Sequence, residues 1–456
     1  MSINNSITWG GIQHNLQVLA PYLLLSMLIV TLFSWFQFPA LPSNDDALFL
    51  GRGVGHFSVI EFSPHFPGYA GLILFVKSVR GLFSSDYQAL HGVVLCMTAM
   101  IPIVSYLILR ALSVEPILAT GVSASIYLQP LLISVALSGL SDGPGLFIWM
   151  LSLLFLLKGQ GLMSAFFSGL MLTVRPSYLF LFLPVYGFLV KQYRSKLNLL
   201  LSATIAPLLL VFIYMYSKDG LALVEEAIRF VRGHFLVWGN TSLNSVEHVS
   251  WWEAMSAYLG SAWALTIFSV ILLPGCCFIW FKLKPARCLI ISFVSILMWT
   301  LFFQNPENLR HLLPLAVLAT LLAALVAALL LKASSLLSFM FMVSAIFSLL
   351  LVNIQLDIKP PAIHQALRWL NLQPINKLYD RVILTNEGVE LMKVYQQKRR
   401  VADAWYKQQG EWLWQNGAWR LSFSPLVGRG NPVKIFPHRF EGEHTIFVYH
   451  MPLEAL

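Results

Sequence analysis

The sequence predicts a mainly α-helical, polytopic membrane bundle of about 11 spans, with interfacial helices in its first outer loop and a small C-terminal α/β domain outside the membrane. Three observations carry this. Hydrophobic residues make up 57% of the chain and charged residues only 11%, against about a quarter charged in an ordinary soluble domain. Mean hydropathy is +0.70, so the chain cannot cover itself with polar surface and its solvent is a bilayer. Apolar stretches approaching the ~20 residues of a span recur as far as residue 355. From Asp357 the composition then changes to alternating helix-like and strand-like segments. Length alone would have allowed two or three soluble domains. The net charge of +9 does not indicate nucleic acid, because the bases are dispersed and no basic stripe alternates with aromatics.

Taken in order, the candidate spans are 17–38, 90–109, 116–137, 143–157, 161–174, 177–190, 197–216, 255–280, 287–303, 311–331 and 335–355. The segments 161–174 and 177–190 are short and meet at Arg175-Pro176, which reads as a helical hairpin that only partly crosses. Residues 1–15 have no basic stretch and no small-residue cleavage site, so 17–38 reads as a retained span. With the N-terminus cytoplasmic, the short inner loops hold Arg110, Lys158, Lys191, Arg194, Lys196, Lys282, Lys284, Arg287 and Lys332, as the positive-inside rule requires. Glu115 is the one acid among them, and every other acid falls outside. All four cysteines (Cys96, Cys276, Cys277, Cys288) lie in or beside apolar runs. Neither a structural disulfide nor a zinc site follows from them.

Three outer segments exceed a tight turn. In 39–89, Asn44 is placed to cap a helix whose first turn holds Asp45 and Asp46. Gly51-Arg52-Gly53-Val54-Gly55 reads as a flexible elbow. Tyr69, Leu72, Ile73, Val76, Val79 and Phe83 then recur at helical spacing, with Lys77 and Arg80 on another face, as in a helix lying in the interface. In 217–254, Val224, Ile228, Val231 and Phe235 alternate with Glu225, Glu226, Arg229 and Arg232 in the same manner. The third segment is the loop 304–311. Pro360-Pro361 ends the membrane part, which divides the chain into 1–356 and an α/β domain at 357–456. That domain reads as helix 362–370, strand 381–385, helix 387–395 and strand 445–449.

Several chemistries are excluded. The chain has no P-loop, HExxH, CxxC or GxSxG, and its Gly51–Gly55 spacing is wrong for a dinucleotide fingerprint. Adjacent carboxylates on a helix diverge by about 100°, so Asp45 and Asp46 cannot flank one glycosidic bond for hydrolysis. Two acids at a membrane edge are nevertheless unfavourable unless they bind a cation or take a proton. Transfer of a sugar from a lipid phosphate suits this residue set. Phosphate leaves without a general acid, one carboxylate accepts the acceptor proton, and cations stabilise the departing charge. Asp45 or Asp46 is then the base, and Lys77, Arg80, Arg175, Arg310 and His311 are donor-phosphate candidates. His56, Glu61 and His65 are candidates for a divalent cation or for substrate, although their spacing matches no ligand rule. No other cofactor is implied.

Each of these residues also has a structural reading. Asp45 and Asp46 can serve as helix-capping acids, Lys77 and Arg80 can snorkel, and Arg175 can satisfy carbonyls freed by Pro176. Arg310 and His311 can be a plain helix-start pair, though cations there oppose the macrodipole. His56 and His65 can be hydrogen-bonded loop histidines. Ser141-Asp142 reads as the capped start of a helix at 143, and Trp251-Trp252 as part of an aromatic belt.

The first-loop Asp45-Asp46 resembles the GT-C superfamily of integral-membrane glycosyltransferases, which includes protein O-mannosyltransferases and the aminoarabinose transferases of lipid A. So do Ser63-Pro64-His65-Phe66-Pro67-Gly68-Tyr69, Thr173-Val174-Arg175-Pro176 and Asn308-Leu309-Arg310-His311-Leu312-Leu313-Pro314. The resemblance covers roughly residues 15–355 and, more weakly, the terminal α/β domain. It implies a polyprenyl-phosphate-sugar donor, an inverting single displacement and a first-loop acid as base. Carried onto this chain, that acid is Asp45, with Asp46 second. The expectation is a plasma-membrane (inner-membrane) enzyme that moves a sugar onto a hydroxyl of a lipid, glycan or protein acceptor. Its active site and C-terminal domain would lie on the extracytoplasmic side. The alternatives are a lipid-linked saccharide ligase or polymerase, which would rely on late-loop arginine and histidine, and a lipid or solute transporter, which would show paired repeats.

Overall fold

A computed structural model of the chain describes residues 9–234, 236, 250–330, 335–375, 378–428 and 430–450. The expectations for Phe235 and Lys332 lie outside the described residues, as do those for residues 1–8. The order begins with α1 (Trp9–Trp35), α2 (Asp45–Gly55), α3 (Ala70–Val79), α4 (Asp86–Ala99), α5 (Ile101–Ala111), α6 (Pro116–Tyr127), α7 (Pro130–Leu137), α8 (Asp142–Leu157), α9 (Gly161–Val174) and α10 (Leu179–Gln192). It continues through α11 (Leu197–Asp219), α12 (Ala222–Gly233), α13 (Trp251–Tyr258), α14 (Ala262–Lys282), α15 (Arg287–Phe303), α16 (Leu313–Leu330) and α17 (Ser335–Gln355).

Among the described residues, seven helices are long and apolar enough to cross a membrane, or eight if the bent pair α6–α7 is one span. The protein is a multi-pass membrane protein, and the count of eleven is not confirmed. α8 and α9 are apolar but only 16 and 14 residues long. The predicted break at Arg175-Pro176 is real, with a 3-10 turn over Pro176–Tyr178 joining α9 to α10. α6 and α7 meet at 59° because Pro130 has no N–H and forces Gln129 out of helix (φ −70°, ψ 121°). Gln129 then donates across the bundle to Thr320 Oγ1 at 2.8 Å.

The first loop folds as the cap signal predicts. Asn44 Oδ1 accepts from Ala47 N–H at 2.9 Å and starts α2. Gly51–Gly55, expected as an elbow, is instead helical and closely packed. A Cβ on Gly51 would sit 2.8 Å from Tyr87, and one on Gly53 would sit 2.6 Å from Pro64. These glycines are there for close approach, which outweighs their poor helix propensity. α3 forms where the period of Leu72, Ile73 and Val76 placed it, and all three are fully buried. α12 keeps Val224, Ile228 and Val231 about half exposed, while Glu226 is buried and bonds Arg229 through two contacts of 2.7 and 2.6 Å.

Beyond α17 come α18 (Ala362–Leu372), β1 (Val382–Thr385), α19 (Val389–Tyr395), β2 (Arg400–Asp403), α20 (Lys407–Gln415), β3 (Trp419–Ser422), β4 (Lys434–Phe436) and β5 (Ile446–His450). The sheet order is β2-β1-β3-β5-β4. β1 runs parallel to β2 and β3, and β5 antiparallel to β3 and β4. α18 buries Ile363, Ala366, Leu367 and Leu370 against Ile383, Leu421 and Val448. Leu48, from α2 in the first loop, joins this same core. The sequence reading missed β2, β3, β4 and α20; the two edge strands, Arg-Val-Ala-Asp and Lys-Ile-Phe, are too short to show a period.

Candidate active site

The acidic pair is divided by α2. Asp45 turns toward the C-terminal region, where its Oδ1 accepts from Leu391 N–H at 2.8 Å in the first turn of α19. Burial raises its pKa, against backbone donors at Leu391 and Glu390 that lower it. Asp46, about one helical step of 100° away, lines a cavity of about 700 Å³ instead. It sits 3.5 Å from Arg310 Nη2 and 3.7 Å from His65 Nδ1. Burial pushes its carboxyl up, but His65, Arg310 and Arg175 outweigh that and hold it below the usual carboxylate range.

His65 is positioned by a backbone pair between Ser58 and Ser63, with both N–H···O distances 2.8 Å. Its ring stacks on Phe230 (centroids 5.8 Å, 19°) and meets Tyr69 edge-on at 5.6 Å. Its pKa is lowered, first by burial and then by Arg175 and Arg310, with Asp46 opposing. The imidazole is therefore neutral at pH 7.

Arg175 closes α9 and is 7% exposed. Its Nη2 lies 2.7 Å from Asp142 Oδ1, and its Nη1 donates to Ser141 Oγ at 3.1 Å. Its guanidinium lies over the rings of Tyr69 and Tyr178 at 5.9 and 5.8 Å. Arg310 and His311 come from the 3-10 turn Leu309–Leu312 that precedes α16. Arg310 Nε and His311 Nδ1 both stand 3.8 Å from the Asp142 carboxylate. Arg310 therefore reaches both Asp46 and Asp142 at distances longer than a tight ion pair, and its buried Nε has no hydrogen-bond partner.

Asp142 is the site residue that the sequence reading missed. The expected side-chain cap from Ser141 is absent, because Ser141 is itself helical (φ −81°, ψ −4°). Asp142, fully buried, serves as the anionic hub for Arg175, Arg310 and His311. A signal was present: between Glu115 and Arg175 the only charges are Asp142 and Lys158, and a lone acid in such apolar surroundings requires a partner.

Of the predicted residues, the fold gathers Asp46, His65, Arg175, Arg310 and His311 on one cavity. Lys77 and Arg80 do not line it. Lys77 Nζ stands 5.8 Å over the Tyr214 ring. Arg80 pairs with Asp86 and donates to Phe83 O at 2.6 Å. His56 and Glu61 contact one another at 3.1 Å at an exposed position. No group of three His, Cys, Asp or Glu side chains suited to a metal ion occurs among the described residues. The cavity's other walls are largely aromatic, including Phe49, Phe66, Phe230 and Trp299.

No family model matches the chain, and no curated protein matches it. Solved structures do. The chain is similar to the crystal structure of ArnT from Cupriavidus metallidurans bound to undecaprenyl phosphate, with TM-score 0.53, 11% identity, and coverage of 94% of this chain and 97% of that one. It is equally similar to ArnT from the same organism in the apo state, with TM-score 0.52, 11% identity, and coverage of 93% and 97%. The overlap runs through both the helical bundle and the terminal sheet. The chain thus has an ArnT-like fold, the architecture expected from its GT-C resemblance.

Proposed function

We propose that the protein is a membrane glycosyltransferase that moves a sugar from a polyprenyl-phosphate donor to an acceptor hydroxyl, with inversion. The observation that carries this reading is the pairing of Asp46 with Arg310 at 3.5 Å on one wall of an aromatic cavity. Asp46, rather than Asp45, is the base, because Asp45 is engaged by the backbone of α19. The acceptor oxygen attacks the anomeric carbon as its proton passes to Asp46. The bond from that carbon to the phosphate oxygen breaks, and its electron pair stays on the phosphate. Arg310 and Arg175 stabilise the charge that grows there, while Asp142 fixes their orientation. A phosphate on Arg310 also relieves part of the field that depresses Asp46, which makes the carboxylate a better base when donor is bound.

The likeness to an ArnT crystallised with undecaprenyl phosphate supports a lipid-phosphate donor. The reaction belongs on the outer face of the plasma membrane, where soluble activated sugars are lacking. Residues 1–356 would form the catalytic membrane domain, and 357–456 an extracytoplasmic domain. The acceptor would be a lipid, a glycan or a protein.

The test has two readings. Purified protein in detergent should bind undecaprenyl phosphate, and Arg310→Ala should weaken that binding about tenfold, the effect of losing a charge-assisted contact of ~1.5 kcal/mol. Asp46→Asn should bind the carrier normally. In cells carrying only Asp46→Asn, mass spectrometry of lipid-linked glycans should show the same unmodified acceptor as in cells lacking the gene. Wild-type product from the Asp46→Asn chain, with loss only in Arg310→Ala, would transfer the assignment to the ligase mechanism.

A further inference from the structure

A second cavity lies at the other end of the bundle. α8 runs from Asp142 at the candidate site to Leu157, its 16 residues spanning about 24 Å. α9 returns from Gly161 to Arg175. α10 then leads away again to Gln192, and α11 returns from Leu197 to Asp219. The turns Lys158–Gly161 and Tyr193–Lys196 therefore meet at the end remote from Asp46. Between them is a cavity of about 290 Å³, lined by Gly159, Gly161, Leu162, Tyr193, Lys196 and Leu199 among others.

The cavity is shaped rather than incidental. The Tyr193 hydroxyl donates to Gly159 O at 2.5 Å and ties the two turns together. A Cβ on Gly161 would sit 2.7 Å from the Tyr193 ring, so this turn accepts no larger residue without moving the wall. One side is apolar and open: Leu162, Met163 and Leu199 are 48%, 44% and 55% exposed. Lys196 lines the cavity, and Lys158, Lys191 and Arg194 stand on or next to the same two turns, all four exposed. No acid occurs between Asp142 and Asp219, and both of those acids lie at the opposite end of their helices. One cation on an apolar notch, with three more on or beside the adjoining turns, fits an anionic headgroup whose acyl chains run along Leu162, Met163 and Leu199.

We infer that this notch is a binding site for an anionic phospholipid, with the lipid phosphate on Lys196 and the acyl chains on α9 and α11. The inference does not depend on the proposed reaction. Native mass spectrometry of the full chain in detergent, titrated with phosphatidylglycerol or phosphatidylcholine, tests it. The wild type should retain phosphatidylglycerol in preference. Lys196→Ala should weaken that retention about fivefold, the effect of removing one cation near a lipid surface, and Lys196→Arg should restore it. Leu199→Trp, which fills the notch and keeps every charge, should also weaken it. Lys284→Ala, on a different basic turn, should leave it unchanged. Equal retention of the two lipids overturns the inference. So does an equal loss in Lys196→Ala and Lys284→Ala, which would mean diffuse surface charge. Displacement of the lipid by an equal concentration of inorganic phosphate overturns it as well, because the acyl chains would then contribute nothing.

Discussion

The two faces of α2 are made from the same residue type and do opposite things. On one face Asp45 meets backbone N–H groups of α19 and Leu48 enters the core of the C-terminal region. On the other, Asp46 meets Arg310 and His65 on the large cavity. Burial raises the pKa of the first carboxyl, whereas cations depress that of the second. An acidic pair in a loop is therefore not one signal. A single helical step separates an acid held by backbone donors from one set among cations, and Leu391 and Arg310, the partners that distinguish them, lie hundreds of residues away.

The contrast can be broken most strongly at Asp46. Asp46→Asn should lower the rate of transfer by about 10²–10⁴-fold, the usual contribution of a positioned base, with no loss of thermal stability. A variant that turns over normally would remove Asp46 from the chemistry. Because its pKa is depressed, the proton-accepting form is present throughout the neutral range. The acid limb of the rate profile should consequently fall at or below the ordinary carboxylate range of about 4. The next largest effect belongs to the cations. Arg175→Ala leaves the fully buried Asp142 without its closest partner and should destabilise the fold by about 3–5 kcal/mol, read as a large fall in melting temperature in detergent. An unchanged melting temperature would show that Arg310 and His311 alone can hold Asp142.

Asp45→Ala sharpens the comparison from the other face. It removes an acceptor from the first turn of α19, at a loss of about 1 kcal/mol of stability, and should leave donor binding intact. A loss of carrier binding equal to that of Arg310→Ala would erase the distinction between the two acids. The smallest effect concerns Glu387: desolvation by the surrounding protein and repulsion from Glu307 and Asp45 push its carboxyl up to about 7, but the residue is solvent-exposed and screening keeps the effect on stability small. A carboxyl with a raised folded-state pKa holds extra protons in the native state, so stability falls as pH rises from its ordinary value of 4.5 toward 7. Glu387→Gln should raise the melting temperature at pH 8 and leave it nearly unchanged at pH 4. Equal shifts at both pH values would point to packing instead.

Local signals were legible in the sequence. The Asn44 cap, the break at Arg175-Pro176, β1, α19 and β5 depend on neighbours within a few residues and appear within one or two positions of their expected bounds, whereas the period expected to reach Phe83 ends as α3 at Val79 and passes into a 3-10 turn. Asp46, Arg175, Arg310 and His311, which line the one cavity, were expected at the site together with Asp45, Lys77 and Arg80, while His65 was expected only with His56 and Glu61 as a cation or substrate candidate; Lys77 and Arg80 lie elsewhere. Those two differ because local spacing decides only which way a side chain points: α3 points Lys77 to Tyr214, and the 3-10 turn after it points Arg80 to Asp86. For Asp142 the sequence signalled that a partner was needed but not which one, because Arg175 and Arg310 are distant in sequence, 33 and 168 residues away (175 − 142 and 310 − 142). The glycines of α2 misled for a related reason: their neighbours, Tyr87 and Pro64, are long-range contacts invisible to propensity.

Leu48 in the hydrophobic core of the terminal sheet has a practical consequence. The sheet splints the helix that aims Asp46, so a chain cut near residue 356 would leave that helix half unsupported. Swapping the tail between homologues should succeed only when α2 travels with it.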